Sequence, residues 1–333
     1  MLKPLQECRV LVTPTSFGQD DPGLRAELER QVGQVDYNPQ IRPLKSAELQ
    51  ALVQDVDGLI AGLDEIDAAV IDAAPALKII ARYGVGVDRV DLSAATRQGV
   101  IVTNTPGANS AAVAELAIGM LLALARKLCL ADRAVHNGEW PRLSGTGLHG
   151  KTAGLVGLGA IGRLVASRLA AFGCQVLAYD PYVGSDVSAS CQALLVSLDE
   201  LLERSDFISL HMPVTPETRG LANASFLGRM KPGALLINTA RGELVDEADL
   251  FAALHQGSLA GAGLDCFTQE PPAAGHPLLN LPNVLLTPHT GSHTDEATSA
   301  MGRMALAACL AALQGQRPLY VVNPQVFETG LRT

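Results

Sequence analysis

In the middle of the chain, Gly157-Leu158-Gly159-Ala160-Ile161-Gly162 separates two short apolar runs. The first run is Thr152-Ala153-Gly154-Leu155-Val156. The second, Gln175-Val176-Leu177-Ala178-Tyr179, ends on Asp180, eighteen residues past Gly162. Between the glycines and the second run, residues 161–172 carry apolar side chains at helical spacing. A G-x-G-x-x-G pattern alone says little in a chain with 32 glycines. Set between two buried strands in a unit of about 30 residues, it specifies a strand–helix–strand dinucleotide site, and hence a doubly wound parallel sheet.

Each part of that unit has a task. Gly157 permits the tight turn, Gly159 lets a pyrophosphate approach the backbone, and Gly162 allows helix and sheet to pack closely. The helix start at Ala160 and Ile161 presents free N–H groups and partial positive charge to phosphate. Asp180 accepts hydrogen bonds from ribose hydroxyls and repels a 2′-phosphate. No Arg or Lys lies between Asp180 and Leu202 to neutralise such a phosphate. The expected cofactor is NAD.

A chain of 333 residues accommodates two domains of ordinary size. Its net charge of −9, without a basic stripe, argues against a nucleic-acid partner. Six cysteines are scattered without a C-x-x-C pair, which suits reduced thiols and gives neither a disulfide framework nor a zinc site. No metal is expected. Met1-Leu2-Lys3-Pro4 leads into a strand without a signal-type apolar stretch. The most apolar segment, 111–125, is short of a membrane span and contains Glu115. These features predict a soluble cytoplasmic protein with no membrane partner.

Apolar runs at 9–13, 58–61, 78–82 and 100–103 precede the fingerprint, and others at 206–211, 234–238, 261–265 and 284–287 follow it. Helical patterns lie between the earlier runs, which is the rhythm of parallel α/β domains. The chain is therefore expected to form two α/β domains. Residues 1–105 and 296–333 make a substrate domain, and 106–295 make a NAD-binding Rossmann domain inserted into it. Substrate is expected in the cleft between them. A long helix from Ser110 to Arg126 joins the halves, with Asn109 or Ser110 as its N-cap. A second helix, 294–314, returns the chain to the first domain.

Polar residues recur where the later strands end: His211, Arg241, Asp265 with Glu270 close behind, and His289. Ligands of open parallel sheets bind beyond those ends. A histidine suits proton exchange with a carbonyl or alcohol oxygen, and a carboxylate orients it. An arginine suits bidentate capture of a substrate carboxylate. His289, Glu270 and Arg241 fill these roles. The bland alternatives are a solvated Arg241, a turn-ending Glu270 before Pro271, and a helix-capping His289 with His293 as rival base. His211 reads as structural or cofactor-side, and His136, His149, His255 and His276 as ordinary loop or surface histidines.

This ordered set resembles the D-isomer-specific 2-hydroxyacid dehydrogenases, in particular their phosphoglycerate dehydrogenase-like branch. The likeness runs from Arg82-Tyr83-Gly84-Val85-Gly86-Val87-Asp88 through Asn104-Thr105-Pro106-Gly107, Asn238–Gly242 and Asp265-Cys266-Phe267 to Thr287-Pro288-His289-Thr290-Gly291. It implies a Rossmann domain inserted into a flavodoxin-like substrate domain. It also implies His289 as acid–base, Glu270 as its partner and Arg241 as the substrate-orienting cation. Tyr83, Val85 and Gly86 fall on the substrate. His211, Met212, Pro213, Thr218, Thr239, Ala240, Asp265, Gly291 and Ser292 fall along the cofactor, with Asp265 at the nicotinamide amide. The family's dimers place the helix from Ser110 to Arg126 at the homodimer interface.

Departures from the pattern narrow the substrate. Phosphoglycerate dehydrogenases commonly carry an Arg where this chain has Ala61-Gly62-Leu63, and no regulatory domain is expected beyond Thr333. Formate enzymes carry Gln in place of Glu270. The resulting expectation is an NAD-dependent reductase of glyoxylate or hydroxypyruvate type. D-3-phosphoglycerate dehydrogenase and phosphite dehydrogenase are alternatives within the enzyme class, and an NADH-sensing corepressor is the alternative outside it.

Overall fold

The computed structural model describes residues 3–332; Met1 and Leu2, at the start of the expected leaderless N-terminus, lie outside them. The chain divides into two compact units. One is built of residues up to Asn109 and from Ser292 onward, the other of Ser110–Gly291.

The first unit holds β1 (Arg9–Val12), β2 (Gln34–Tyr37), β3 (Gly58–Ala61), β4 (Ile79–Arg82) and β5 (Ile101–Thr103). They form one parallel sheet in the order β2-β1-β3-β4-β5, which is flavodoxin-like. Side chains alternate across it with period two. Val10, Val12, Ile60 and Ile79 join Met301, Ala305 and Cys309 of the helix Asp295–Leu313 in one core cluster. Leu11, Leu59, Ala61 and Ile80 join Leu49, Val70 and Ile71 in the other. A sheet covered on both faces explains strands that are apolar throughout.

The second unit holds β6 (Thr152–Val156), β7 (Gln175–Tyr179), β8 (Ala193–Leu195), β9 (Phe207–Leu210), β10 (Ala234–Asn238), β11 (Leu259–Leu264) and β12 (Val284–Leu286). Their order, β12-β11-β10-β9-β6-β7-β8, is the Rossmann arrangement with one strand added, and every pairing is parallel. The helices Ser110–Ala125 and Ala160–Ala171 pack on one face, through Ala117, Met120, Val165 and Leu169. Leu201, Phe226 and Leu250 cover the other.

Two local expectations change. Two edge strands, β2 and β8, lie outside the apolar runs because each has one flank without a neighbour and keeps polar or half-exposed residues. Asn109 does not cap the Ser110 helix: its Oδ1 is buried without a hydrogen-bond partner, and Ser110 is already helical. His276 lies in a loop, as expected, and is a half-buried partner of Glu247. The helix Asp295–Leu313 does start as its sequence suggests, with the Thr294 side chain accepting from Ala297 N–H, a cap that typically contributes about 1 kcal/mol. No helix among the described residues is long and apolar enough to cross a membrane. All six cysteines are free thiols.

Candidate active site

In the Ser110–Gly291 unit, strand order reverses between β6 and β9, the switch point where open α/β sheets bind ligands. The fingerprint follows β6 directly. Gly157 has φ +102°, and a Cβ there would lie 2.6 Å from the His211 carbonyl oxygen. At Gly162 a Cβ would lie 2.3 Å from the Gly157 carbonyl oxygen. Glycine is required at both positions because the opposing atoms are backbone. Around Gly159, by contrast, there is open space within 4 Å, and no side chain caps the helix it begins. A cradle of main-chain N–H groups thus faces outward, and it fits a pyrophosphate.

Asp180 leaves β7 beside this turn. Its Oδ2 accepts the Leu158 N–H at 2.8 Å and its Oδ1 the Tyr182 N–H at 2.9 Å. The carboxylate is thereby fixed in direction while each oxygen keeps lone pairs for a further donor. After β9, the Thr218 hydroxyl donates to the Pro213 carbonyl at 2.8 Å and folds the 213–218 loop back. His211 is held by its backbone N–H on the Val156 carbonyl at 2.7 Å. Its Nε2 is buried without a partner, and burial pushes the ring's pKa down to about 4. A neutral ring with one unused polar atom suits a cofactor-side role better than proton transfer. Thr239 Oγ1, after β10, is likewise buried without a partner.

At the other end of the same sheet edge, His289 Nδ1 meets Glu270 Oε1 at 2.9 Å and Oε2 at 3.0 Å. Both side chains are about one-fifth exposed, at 22% and 17%. Nδ1 is committed to the carboxylate, which leaves Nε2 as the ring atom able to exchange a proton with a ligand. Glu270 Oε1 also accepts the Phe267 N–H at 3.1 Å.

The loop bearing His289 is built on Asp265, which is 2% exposed. Its Oδ1 accepts from Thr287 Oγ1 at 2.5 Å and from the Thr290 N–H at 2.8 Å, and its Oδ2 accepts from the Gly291 N–H at 2.8 Å. His289 adopts φ +53°, a left-handed conformation unusual for a histidine, with its own N–H on the Asp265 carbonyl at 2.8 Å. Asp265 therefore shapes the His289 turn, a task additional to the nicotinamide contact implied by resemblance. Arg241 leaves β10 with its carbonyl accepting from Asn238 Nδ2 at 2.7 Å and its Nη1 donating to the Ala240 carbonyl at 2.7 Å. Cys266 Sγ lies with the donor atoms of Glu270 and His289 within 4.8 Å of one another. Burial pushes its thiol pKa well up, however, which disfavours the thiolate a metal would need.

In the other unit, residues 84–86 form a loop after β4 whose three carbonyls are all tied down. Thr105 N–H holds Gly84 at 3.1 Å, Asn104 Nδ2 holds Val85 at 2.8 Å, and Arg82 Nε holds Gly86 at 3.0 Å. The N–H groups of Val85 and Gly86 make no backbone hydrogen bond among the described residues, which leaves them able to meet an anionic group. The Tyr83 side chain belongs to the core: its ring is edge-on to Phe17, and its hydroxyl donates to the Thr298 carbonyl at 3.0 Å. Only its backbone borders the loop.

Asp64, at the β1/β3 switch point of this sheet, escaped notice in the sequence. It is 1% exposed and accepts from the Thr13 hydroxyl, from Leu44 N–H at 2.8 Å and from Gly62 N–H at 3.0 Å. A buried carboxylate thus occupies the N–H groups beside Gly62, where an anionic ligand would otherwise find them.

Residues 118–291 match the family described as D-isomer specific 2-hydroxyacid dehydrogenase, NAD binding domain. The chain belongs to the D-isomer specific 2-hydroxyacid dehydrogenase family. It is 44% identical over 294 residues to the glyoxylate reductase of Thermofilum pendens, covering 86% of this chain and 87% of that one. It is 47% identical over 272 residues to the D-3-phosphoglycerate dehydrogenase of Mycobacterium bovis, covering 81% of this chain, and spans 51% of that protein's length. The solved TT0316 protein of Thermus thermophilus superposes with a TM-score of 0.85 at 43% identity, over 94% of this chain and 99% of that one. Membership gives the Rossmann sheet its ligand class, and the fit of the Gly157–Gly162 cradle to a dinucleotide agrees with it.

Proposed function

We propose that this family member is an NAD-dependent dehydrogenase that interconverts a small, unphosphorylated D-2-hydroxy acid and its 2-oxo acid, in the manner of a glyoxylate or hydroxypyruvate reductase. The observation that carries the reading is the His289–Glu270 pair, with both carboxylate oxygens within 3.0 Å of Nδ1, at the sheet edge that holds the dinucleotide fingerprint. The roles extend to Ser110–Gly291 as the NAD-binding domain and to the remaining unit as the substrate domain.

When bound, the nicotinamide supplies the hydride in reduction and accepts it in oxidation. Arg241 of the Ser110–Gly291 unit serves as the cation for the substrate carboxylate, and the Val85 and Gly86 N–H groups serve as the anion-binding groups of the substrate domain. His289 gives its Nε2 proton to the carbonyl oxygen during reduction and takes it back during oxidation, while Glu270 keeps the ring aligned. Asp180 engages the ribose hydroxyls and rejects a 2′-phosphate. Gly157, Gly159, Ala160, Ile161 and Gly162 carry the pyrophosphate. Met212, Pro213, Thr218, Thr239, Ala240, Gly291 and Ser292 line the cofactor's path.

Asp64 supports the unphosphorylated substrate. A phosphate reaching the β1/β3 end would meet a buried carboxyl group that already holds the Gly62 and Leu44 N–H donors, and each 1.4 kcal/mol of binding lost there is about tenfold in affinity. The 47% identity to a phosphoglycerate dehydrogenase favours the opposite reading, so a substrate panel separates them. With NADH, glyoxylate and hydroxypyruvate should exceed phosphohydroxypyruvate in kcat/KM by about tenfold or more. The reverse order would make the protein a phosphoglycerate dehydrogenase. Reduction of none of these acids, with no oxidation of phosphite by NAD⁺, would leave the corepressor reading. In the same panel, Asp180→Ala should weaken NADH and improve NADPH; an unchanged coenzyme preference would refute the role of Asp180.

The free thiols support a cytoplasmic location. We also propose a homodimer through the helix from Ser110 to Arg126 and the segment after it. That helix buries most of its apolar side chains within its own unit. The residues just beyond leave apolar surface bare, with Trp140 77% and Leu128 52% exposed. Sedimentation of the protein should give twice the 34.8 kDa chain mass, and a monomer at micromolar concentration would overturn the proposal.

A further inference from the structure

The 266–276 loop that carries Glu270 is held by a second carboxylate–histidine pair. Glu247 opens the helix Glu247–His255, where the positive end of the helix favours its charge. Its Oε1 accepts the Thr268 N–H at 2.8 Å, and its Oε2 meets His276 Nε2 at 3.0 Å. The His276 ring stands edge-on to Phe267, with centroids 5.6 Å apart. Its Nδ1 is buried without a partner, so Nε2 makes the ring's one polar contact among the described residues.

Consecutive backbone N–H groups are therefore caught by two glutamates, that of Phe267 by Glu270 and that of Thr268 by Glu247. The peptide between them also rests on Gly242, whose Cβ, if present, would lie 2.0 Å from the Phe267 carbonyl carbon. Gly242 directly follows Arg241. One peptide unit thus borders the backbone of the candidate substrate-binding cation and the carboxylate that aligns His289.

We propose that Glu247 and His276 are positioning residues for the hydride-transfer site, a latch that keeps the Phe267–Thr268 peptide seated against Gly242. The inference rests on the reading of His289 as the acid–base group. Neither latch residue touches the reacting atoms. Without the latch the peptide loses one of its two glutamates, and Glu270 shifts with it. Misplacement of a reacting group by about 1 Å costs on the order of 100-fold in rate.

His276→Ala should lower kcat for glyoxylate reduction about 10- to 100-fold, while NADH affinity, read by fluorescence titration, stays within about twofold. His276→Gln should restore most of the rate, because the amide N–H can still donate to Glu247. Glu247→Ala should match His276→Ala, with the double variant no slower than either, as expected of residues acting as one unit. Wild-type turnover in His276→Ala would overturn the latch. So would a loss that extends equally to NADH affinity and resists rescue by Gln, since that marks general unfolding. If His276→Ala fails to fold, Glu247→Gln takes its place: it keeps an acceptor for Thr268 and should lose rate without losing NADH binding, and an unchanged rate would overturn the proposal. His289→Ala separates the two ideas. A kcat within about threefold of wild type there sinks the acid–base reading itself, whereas a loss of about 100-fold or more in His289→Ala beside a normal His276→Ala removes only the latch.

Discussion

Replacing His289 with alanine should lower kcat by about 100- to 10,000-fold, the usual range for loss of a positioned proton donor. The ring has one free nitrogen for chemistry, because Nδ1 is held by both oxygens of Glu270. Its presentation depends on a left-handed backbone at His289, a conformation that costs on the order of 1–3 kcal/mol and persists only when its surroundings impose it. Asp265 imposes it by accepting from Thr287, Thr290 and Gly291. Alanine leaves that backbone and the fingerprint untouched, so NADH should bind nearly as tightly as before. Steady-state kinetics with a parallel fluorescence titration of NADH tests both halves. A kcat within about threefold of wild type would remove His289 from the chemistry, since a general acid contributes far more than that.

Gly242→Ala should be the most damaging single methyl group in the Ser110–Gly291 unit. Its Cβ would stand 2.0 Å from the Phe267 carbonyl carbon, and 2.3 Å from both the Phe267 oxygen and the Thr268 nitrogen. All three are backbone atoms, so no rotamer change relieves the clash. Overpacking of this kind costs about 1–3 kcal/mol or more. In a domain of this size that lowers Tm by about 2–4 °C per kcal/mol. Activity should fall further than stability, because the displaced peptide borders Arg241 on one side and Glu270 on the other. Calorimetry and kcat measured together decide the matter. Gly159→Ala provides the contrast: with nothing within 4 Å of its added methyl, it should hold its Tm and lose NADH affinity. A Gly242→Ala protein with wild-type Tm and rate would mean that the 267–268 peptide is not held where it lies.

Much of this organisation was legible in the residues. The central strands announced themselves because a sheet covered on both faces needs unbroken apolar runs. β3, β6, β7 and β10 begin and end where their runs do. The edge strands β2 and β8 did not, since an edge can keep residues such as Gln34 and Asp36. Short helices such as Leu92–Arg97 and Leu198–Arg204 are less than two turns long and carry too little periodicity to be read. Among polar residues, position along a strand placed His211, Arg241, Asp265 and His289 at one sheet edge. It could not assign their partners. His276 looked like any loop histidine, and Asp64 like any acidic residue after a strand.

The sequence by itself determined the two parallel sheets, the dinucleotide turn and the identities of the groups that could exchange a proton or hold a carboxylate. All of these follow from local periodicity, or from glycine and charge at fixed spacing. Only the tertiary structure decided which groups are free to act. It spent Nδ1 of His289 on Glu270, turned Asp265 into the frame of the His289 loop, and set the Asp64 carboxylate on the Gly62 N–H. It also paired Glu247 with His276 across 29 residues of chain. Those assignments depend on hydrogen-bond directions within about 3 Å, and packing, not spacing along the chain, brings such atoms together.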